Sequence, residues 1–249
     1  MGYLDILQRA LEPLPIRGKG RFADFMLSRK QQEIACHPVR GATVFLESGQ
    51  YAERWMWAGA YERQLVALLK RTLRPGMTVF DLGANIGYFS VIAAALVGSK
   101  GRVHSFEPMP HNFERLRRNL QSFPWATLHN CAVRNVAKEV AFYFSDKESG
   151  WAGVHDLPSR NSTTTAQMIR LDDWLSSHPV ERIDFIKLDI EGSELNALRG
   201  ATQLLRRFHP TVVTEAGPNH NHEKMWSFFT DEGYRCRMFN DDCILAEFG

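Results

Sequence analysis

A chain of 249 residues, 44% hydrophobic and 23% charged, is long enough to bury a substantial core and ordinary in composition for a globular domain. Its formal net charge of +2 is too small to make nucleic acid or an anionic membrane the main partner. The scattered Cys36, Cys131, Cys236 and Cys243 form no C-x-x-C pair, which argues against a zinc site or a disulfide framework and for reduced thiols in a cytoplasmic protein.

The opening, Met1 to Arg9, lacks the basic start and long apolar core of a secretory signal, and no run approaches the ~18 apolar residues of a membrane span. No integral membrane segment is expected. Pro13, Pro15, Gly18 and Gly20 punctuate the start; Phe22 to Gln32 reads as a short helix and Thr43 to Leu46 as a strand. From Tyr61 to Leu73 the apolar Leu65, Leu68, Leu69 and Leu73 recur at helical spacing, and Pro75-Gly76 ends that helix. Residues 1–60 are therefore expected to be an N-terminal extension to a domain spanning 61–249.

Beyond Gly76 strands and helices alternate. Strands are predicted at Met77–Leu82, Gly101–Phe106, Ala126–Val133, Ile183–Leu188 and Thr211–Thr214. Between and after them lie helices at Tyr88–Val97, about Pro110–Leu120, Glu194–Phe208 and about His222–Glu232. Such alternation implies right-handed crossovers and a parallel sheet covered on both faces. Tyr234–Phe239 and Cys243–Phe248 break the pattern, because only Asn240-Asp241-Asp242 joins them and so short a link connects antiparallel neighbours. The expected fold is α/β and Rossmann-like, a mainly parallel seven-stranded sheet with an antiparallel C-terminal hairpin. That hairpin separates class I methyltransferases from most nicotinamide-binding folds. In a segment at about 137–171, Val140–Phe144 and Gln167–Leu171 read as strands, and with the polar, Ser/Thr/Gly-rich stretch from Ser145 to Thr165 between them the segment is read as an inserted hairpin or loop near the ligand face.

Asp81 ends the first of these strands, and Gly83-Ala84-Asn85-Ile86-Gly87 leads into a helix, a loop that lets backbone approach a ligand closely. Glu107 ends the next strand twenty residues after Gly87 (107 − 87), where an acid accepts bonds from two ribose hydroxyls; the plainer alternative is a helix-terminal acid beside Pro108. Asn130, at the end of the third strand, either faces an adenine or forms a turn. Nicotinamide enzymes usually carry G-x-G-x-x-G and place a pyrophosphate at the helix N-terminus. A carboxylate at Asp81 would repel a pyrophosphate but suits an ammonium group, which favours S-adenosylmethionine as the cofactor.

At these residues the sequence resembles the FkbM family of S-adenosylmethionine-dependent methyltransferases. Val79 to Tyr88 looks like the first motif of that family, and Asp184-Phe185-Ile186-Lys187-Leu188-Asp189-Ile190-Glu191-Gly192-Ser193-Glu194 like its most distinctive one, continuing into Leu198-Arg199-Gly200-Ala201. Leu171 to Leu175 and Tyr61-Glu62 also fit. The resemblance implies O-methylation, commonly of a sugar or polyketide hydroxyl. Glu62 and Ala132 complete the residues expected to border the cofactor.

Ligands of parallel sheets lie beyond the carboxyl ends of the strands, so the catalytic candidates are Lys187, Asp189, Glu191, Glu215 and His220. Lys187 and Asp189 are two apart in a strand and share a face. A lysine in a central apolar strand needs a partner, so a structural ion pair with Asp189 or Glu215 competes with a role in orienting the acceptor. Glu194 is read as an acid at a helix start. His220 titrates near neutrality and suits a base. His220, His222, Glu215 and Asp189 are the residues a divalent ion would draw together, but their spacing is not diagnostic and no metal is expected. Trp55, Trp57, Tyr61 and Trp151 offer stacking surfaces for an acceptor, or else fill a core or a homo-oligomer contact. Arg115, Arg117 and Arg118 read as a solvated helix face. The expected partner is a small-molecule or glycan acceptor; a non-catalytic protein of the same fold and a nicotinamide oxidoreductase are the competing readings.

Overall fold

The computed structural model describes residues 3–12, 14, 16–29, 31–145, 148–153, 162–216 and 222–249, with the backbone alone described between 140 and 164. The first part holds α1 (Tyr3–Leu11), α2 (Lys19–Leu27), β1 (Glu33–Cys36), β2 (Val44–Glu47) and α3 (Tyr51–Trp57). The predicted helix and strand here correspond to α2 and β2. β1 pairs antiparallel with β2, Ile34 opposite Leu46 and Cys36 opposite Val44. Neither α1, β1 nor α3 was expected; each is short and takes its support from tertiary contacts rather than from local pattern.

Next come α4 (Arg63–Thr72), β3 (Thr78–Leu82), α5 (Tyr88–Val97), β4 (Arg102–Phe106), α6 (Pro110–Leu120), β5 (Ala126–His129) and β6 (Ala132–Val133). The strand expected over Ala126–Val133 is thus two strands in different sheets. The chain turns at Asn130, whose Nδ2 donates to the carbonyls of Glu107 (2.8 Å) and Pro108 (3.2 Å). β7 (Lys138–Ser145), β8 (Glu148–Gly153) and β9 (Ser162–Ile169) join β6 in a four-stranded sheet of order β6-β9-β7-β8, so the two strands expected in the insert pair antiparallel as β7 and β9, and β6 and β8 extend them into a small sheet.

The chain then forms α7 (Leu171–Ser177), β10 (Phe185–Leu188), α8 (Glu194–Arg199), α9 (Thr202–Phe208), β11 (Thr211–Glu215), α10 (His222–Asp231), β12 (Tyr234–Met238) and β13 (Cys243–Phe248). The single helix expected over Glu194–Phe208 is two, broken at Gly200. A Cβ on Gly200 would stand 2.3 Å from the Arg134 carbonyl oxygen, so this close crossing admits only glycine. Asp172 caps α9 by accepting from the N–H groups of Gln203 (3.1 Å) and Leu204 (3.0 Å).

Among the described residues the main sheet has seven strands in the order β12-β13-β11-β10-β3-β4-β5. β13 runs antiparallel to both β11 and β12, while β3, β4, β5, β10 and β11 are mutually parallel, as the alternation and the short final link imply. Side chains alternate between two faces. Val79, Val103, Phe185, Val213 and Leu245 join one buried cluster with α4, α5 and the N-terminal elements, whereas Phe80, Ile186, Val212 and Ile244 join another with α7 to α10. Burying side chains such as Phe80 and Phe185 stabilises the fold by about 1.5–3 kcal/mol each.

Arg115 does not belong to a solvated face. Its guanidinium forms a fork to buried Glu53 of α3 at 2.7 and 2.6 Å, tying α3 to α6, while Arg118 pairs with Glu33 and lies 4.6 Å from the Phe45 ring. Arg117 remains exposed, paired with Glu114. Among the described residues no helix is long and apolar enough to cross a membrane.

Candidate active site

The parallel register sets Asp81 of β3 beside Lys187 of β10 and Leu82 beside Phe106 of β4. Where these three strands end, the loop after β3 folds over β4, with the N–H groups of Gly83 and Ala84 both donating to the Phe106 carbonyl at 3.0 Å. Gly83 has φ +81°, and a Cβ there would lie 1.8 Å from the Asp189 carbonyl oxygen. Gly87 has φ +90° and faces Leu116, 2.7 Å from where a Cβ would sit. Packing of the loop onto neighbouring protein is therefore enough to demand glycine at both positions.

Lys187 is 5% exposed, donates to the Gly83 carbonyl at 2.8 Å and forms ion pairs with Asp81 Oδ1 at 3.3 Å and Asp189 Oδ2 at 3.4 Å. Burial alone would lower its pKa, but the two carboxylates outweigh that and hold it above the ordinary lysine value. It is a fixed ammonium. Asp81, 2% exposed, accepts from Ser90 Oγ at 2.5 Å and has its charge offset by Lys187. It does not line the cavity described next.

A cavity of about 560 Å³ opens at the ends of β3, β4 and β10. Gly83, Ala84, Asn85, Glu107, Ala132, Lys187, Asp189 and Glu191 line it, so these expected residues are brought together. Glu107 is held by two loops at once: Oε2 accepts from Asn85 N–H and Oε1 from Met109 N–H, both at 2.9 Å. Each oxygen keeps further acceptor capacity. Burial pushes its pKa up to about 7 against the opposing effect of those N–H groups. Asn85, in the left-handed region at φ +50°, has a buried Oδ1 with no hydrogen-bond partner among the described residues.

Asp189 is partly open, its side chain 39% exposed. Glu191 adopts φ +55° ahead of Gly192 at φ +89°, an uncommon conformation for a residue with a side chain. Glu194 is buried and folds back to accept from the N–H groups of Ile190 (3.0 Å) and Gly192 (3.1 Å), which fixes this loop and agrees with a structural role.

Other expected residues stand elsewhere. Glu215 ends β11 opposite Cys243 and is not in the cavity wall, nor are Gly87, Asn130 and Glu62. Asn130 spends its amide on the β4 loop, as described. Desolvation and the charge of Asp189 raise the pKa of Glu62, which begins α4 at φ +41°. His220 lies outside the described residues, as do Asn221 and the side chain of Trp151; among the described residues no group of three or more His, Cys, Asp or Glu is arranged to hold a metal ion. Trp57 is fully buried and Trp55 packs on Gly20 and donates to Asp24 at 2.9 Å, so both serve packing, whereas Tyr61 does line the cavity.

Sequence reasoning missed two parts of the wall. One is α3 and its flank, with Gln50, Tyr51, Ala52, Glu53 and Met56; the other is Arg134. No periodicity marked either, because both reach the cavity only through long-range packing.

A model of the methyltransferase FkbM domain matches residues 81–236. The chain belongs to the FkbM methyltransferase family. Within curated proteins it is 27% identical over 153 residues to the hexuronic acid methyltransferase AglP of Haloferax volcanii, covering 61% of each chain. It is 29% identical over 158 residues to the 31-O-demethyl-FK506 methyltransferase FkbM of Streptomyces tacrolimicus, covering 51% of this chain and 60% of that one. The 2-O-methyltransferase NoeI of Sinorhizobium fredii is 27% identical over 161 residues, with 58% and 64% covered. The chain thus spans about three fifths of the length of these relatives. Of solved structures, it is similar to methyltransferase FkbM of Methylobacillus flagellatus KT at 19% identity and TM-score 0.48, covering 80% of this chain and 53% of that one.

The residues present fit the S-adenosylmethionine that this family implies. Glu107 retains acceptor capacity for ribose hydroxyls, Asn85 Oδ1 lacks a partner among the described residues, and Phe106, Met109, Cys131, Ala132 and Val133 offer apolar walls for a flat base.

Proposed function

We propose that the chain is an S-adenosylmethionine-dependent O-methyltransferase whose acceptor is a sugar hydroxyl of a glycan, glycolipid or glycosylated natural product. The observation that carries this reading is one cavity shared by the glycine loop, Glu107 and the acidic loop from Asp189 to Ser193. The sugar is favoured by the names of two relatives, a hexuronic acid methyltransferase and a 2-O-methyltransferase. The FK506-related relative supports a polyketide hydroxyl as the second reading.

S-adenosylmethionine supplies a sulfonium-bound methyl group. Glu107 would accept the ribose hydroxyls, Asn85 would add an acceptor, and the apolar wall would enclose the base. Asp189 would take the proton of the acceptor hydroxyl; Lys187, a fixed ammonium, cannot accept one and instead orients Asp189 and the Gly83 carbonyl. Tyr61 and the flank of α3 with Tyr51 and Met56 would border the acceptor, giving residues 1–60 a part in acceptor choice. Positioning supplies much of such a rate. Removing the base in Asp189→Ala should lower kcat by about 10²–10⁴-fold while S-adenosylhomocysteine binding changes only a few-fold. Labelled methyl transfer to a panel of sugar conjugates, run beside calorimetry with S-adenosylhomocysteine, tests this. Full activity of Asp189→Ala would overturn the base assignment, and absence of S-adenosylhomocysteine binding at high micromolar concentration would overturn the enzyme reading.

A further inference from the structure

Among the described residues two cations line the cavity, in opposite circumstances. Lys187 has two carboxylates, whereas the guanidinium of Arg134 makes no ion pair or hydrogen bond among the described residues, and its Nε is sealed from water with no partner. The acid whose charge Arg134 feels, Glu194, has Oε1 committed to the Ile190 and Gly192 N–H groups. The backbone of Arg134 is fixed. Its N–H donates to the Ile169 carbonyl at 2.9 Å, and its own carbonyl crosses tightly over Gly200. Burial lowers the pKa of this group, yet a guanidinium remains charged throughout the working range.

A half-buried guanidinium in a cavity wall, with Nε shut off from water and no ion pair or hydrogen bond among the described residues, keeps its outer N–H donors for a ligand, and its planar fork matches a carboxylate. We propose that Arg134 is an anion subsite, and that the acceptor is a sugar acid whose carboxylate seats on Arg134 while one of its hydroxyls is methylated. This rests on reading the cavity as the donor and acceptor site. The carboxylate of the donor's own amino-acid end is a second source of the same chemistry, and the experiment separates the two.

Protein saturated with S-adenosylhomocysteine is titrated calorimetrically with a glucuronate-terminated disaccharide and with its neutral glucose counterpart, in the wild type, Arg134→Lys and Arg134→Met. The wild type should prefer the acidic sugar by roughly 30-fold. Arg134→Met should lose that preference, Arg134→Lys should keep part of it, and S-adenosylhomocysteine affinity should stay within about threefold in all three. Arg134→Lys, which keeps a cation in place, carries the comparison if Arg134→Met does not fold. Equal binding of the two sugars by the wild type would overturn the proposal. So would a loss of S-adenosylhomocysteine affinity in Arg134→Met with the sugar preference intact, which would assign the anion to the donor. Failure of the wild type to bind S-adenosylhomocysteine in a separate titration would instead overturn the cofactor reading on which the proposal stands.

Discussion

The ends of β3 and β4 each carry a buried carboxylate, Asp81 at 2% exposure and Glu107 at 5%, yet the two sites do opposite things. Asp81 meets a cation and a hydroxyl, Lys187 and Ser90, and lies beneath the cavity wall. Glu107 meets backbone N–H groups from two loops, keeps acceptor capacity and lines the cavity. Depth of burial is the same; what differs is whether the charge is already answered by protein. A carboxylate in contact with a cation holds the fold together, and one held by N–H groups remains available to a ligand, burial raising its pKa to about 7 against those N–H groups and the more distant charge of Lys187.

The largest expected effect comes from removing the cation. Lys187→Met leaves Asp81 buried without its counter-charge and frees the Gly83 carbonyl, so it should destabilise by roughly 3–5 kcal/mol. For a chain of this size that lowers Tm by roughly 6–20 °C. Adding Asp81→Asn should restore part of the loss, measured by thermal and urea unfolding; a single-variant loss below about 1 kcal/mol would break the contrast.

Glu107→Gln should instead destabilise by only about 1–3 kcal/mol, because one of the two backbone N–H groups loses its acceptor, and weaken S-adenosylhomocysteine binding by about 10–100-fold, the range for hydrogen bonds to a charged group. Calorimetry at pH 8 measures it. An unaltered affinity would remove Glu107 from the cofactor site.

The pH dependence sharpens the same point. The folded pKa of Glu107 lies above the ordinary carboxylate value, so its contribution to stability is fully present below about pH 4.5 and is lost as pH rises through about 7. Ligand binding has the opposite slope, because ribose hydroxyls donate to the deprotonated form. Affinity for S-adenosylhomocysteine should rise about tenfold between pH 6 and pH 8, and Glu107→Gln should flatten that profile.

The smallest effect is expected at Asn130, which supports the Glu107 loop from outside the cavity. Asn130→Ala removes two bonds to carbonyls and should cost about 1 kcal/mol in stability and a few-fold in affinity. An effect as large as that of Glu107→Gln would mean that Asn130 touches the ligand after all.

Much of the fold was legible from local pattern. Apolar runs of strand length alternate with helical periodicity after Gly76, and the three-residue link Asn240 to Asp242 leaves no choice but an antiparallel final pair. The elements that escaped are those whose form depends on distant groups. β5 and β6 part because Asn130 is drawn to the β4 loop, and α8 and α9 part because Gly200 lets the Arg134 carbonyl approach. The insert forms a sheet because β9 finds β6 and β7 as partners.

The same division runs through the site. Sequence by itself determined the glycine loop, the acid after β4 and the Lys187-to-Glu194 block, since strand ends and their spacing are local properties. Only the tertiary structure decided what each does. Lys187 reaches Asp81 across 106 residues and offsets its charge, α3 crosses from the N-terminal segment to wall the cavity, and Arg134 arrives there with no ion pair or hydrogen bond to its guanidinium among the described residues. Charge, unlike hydrophobic periodicity, takes its meaning from whichever partner the fold brings within a few ångströms.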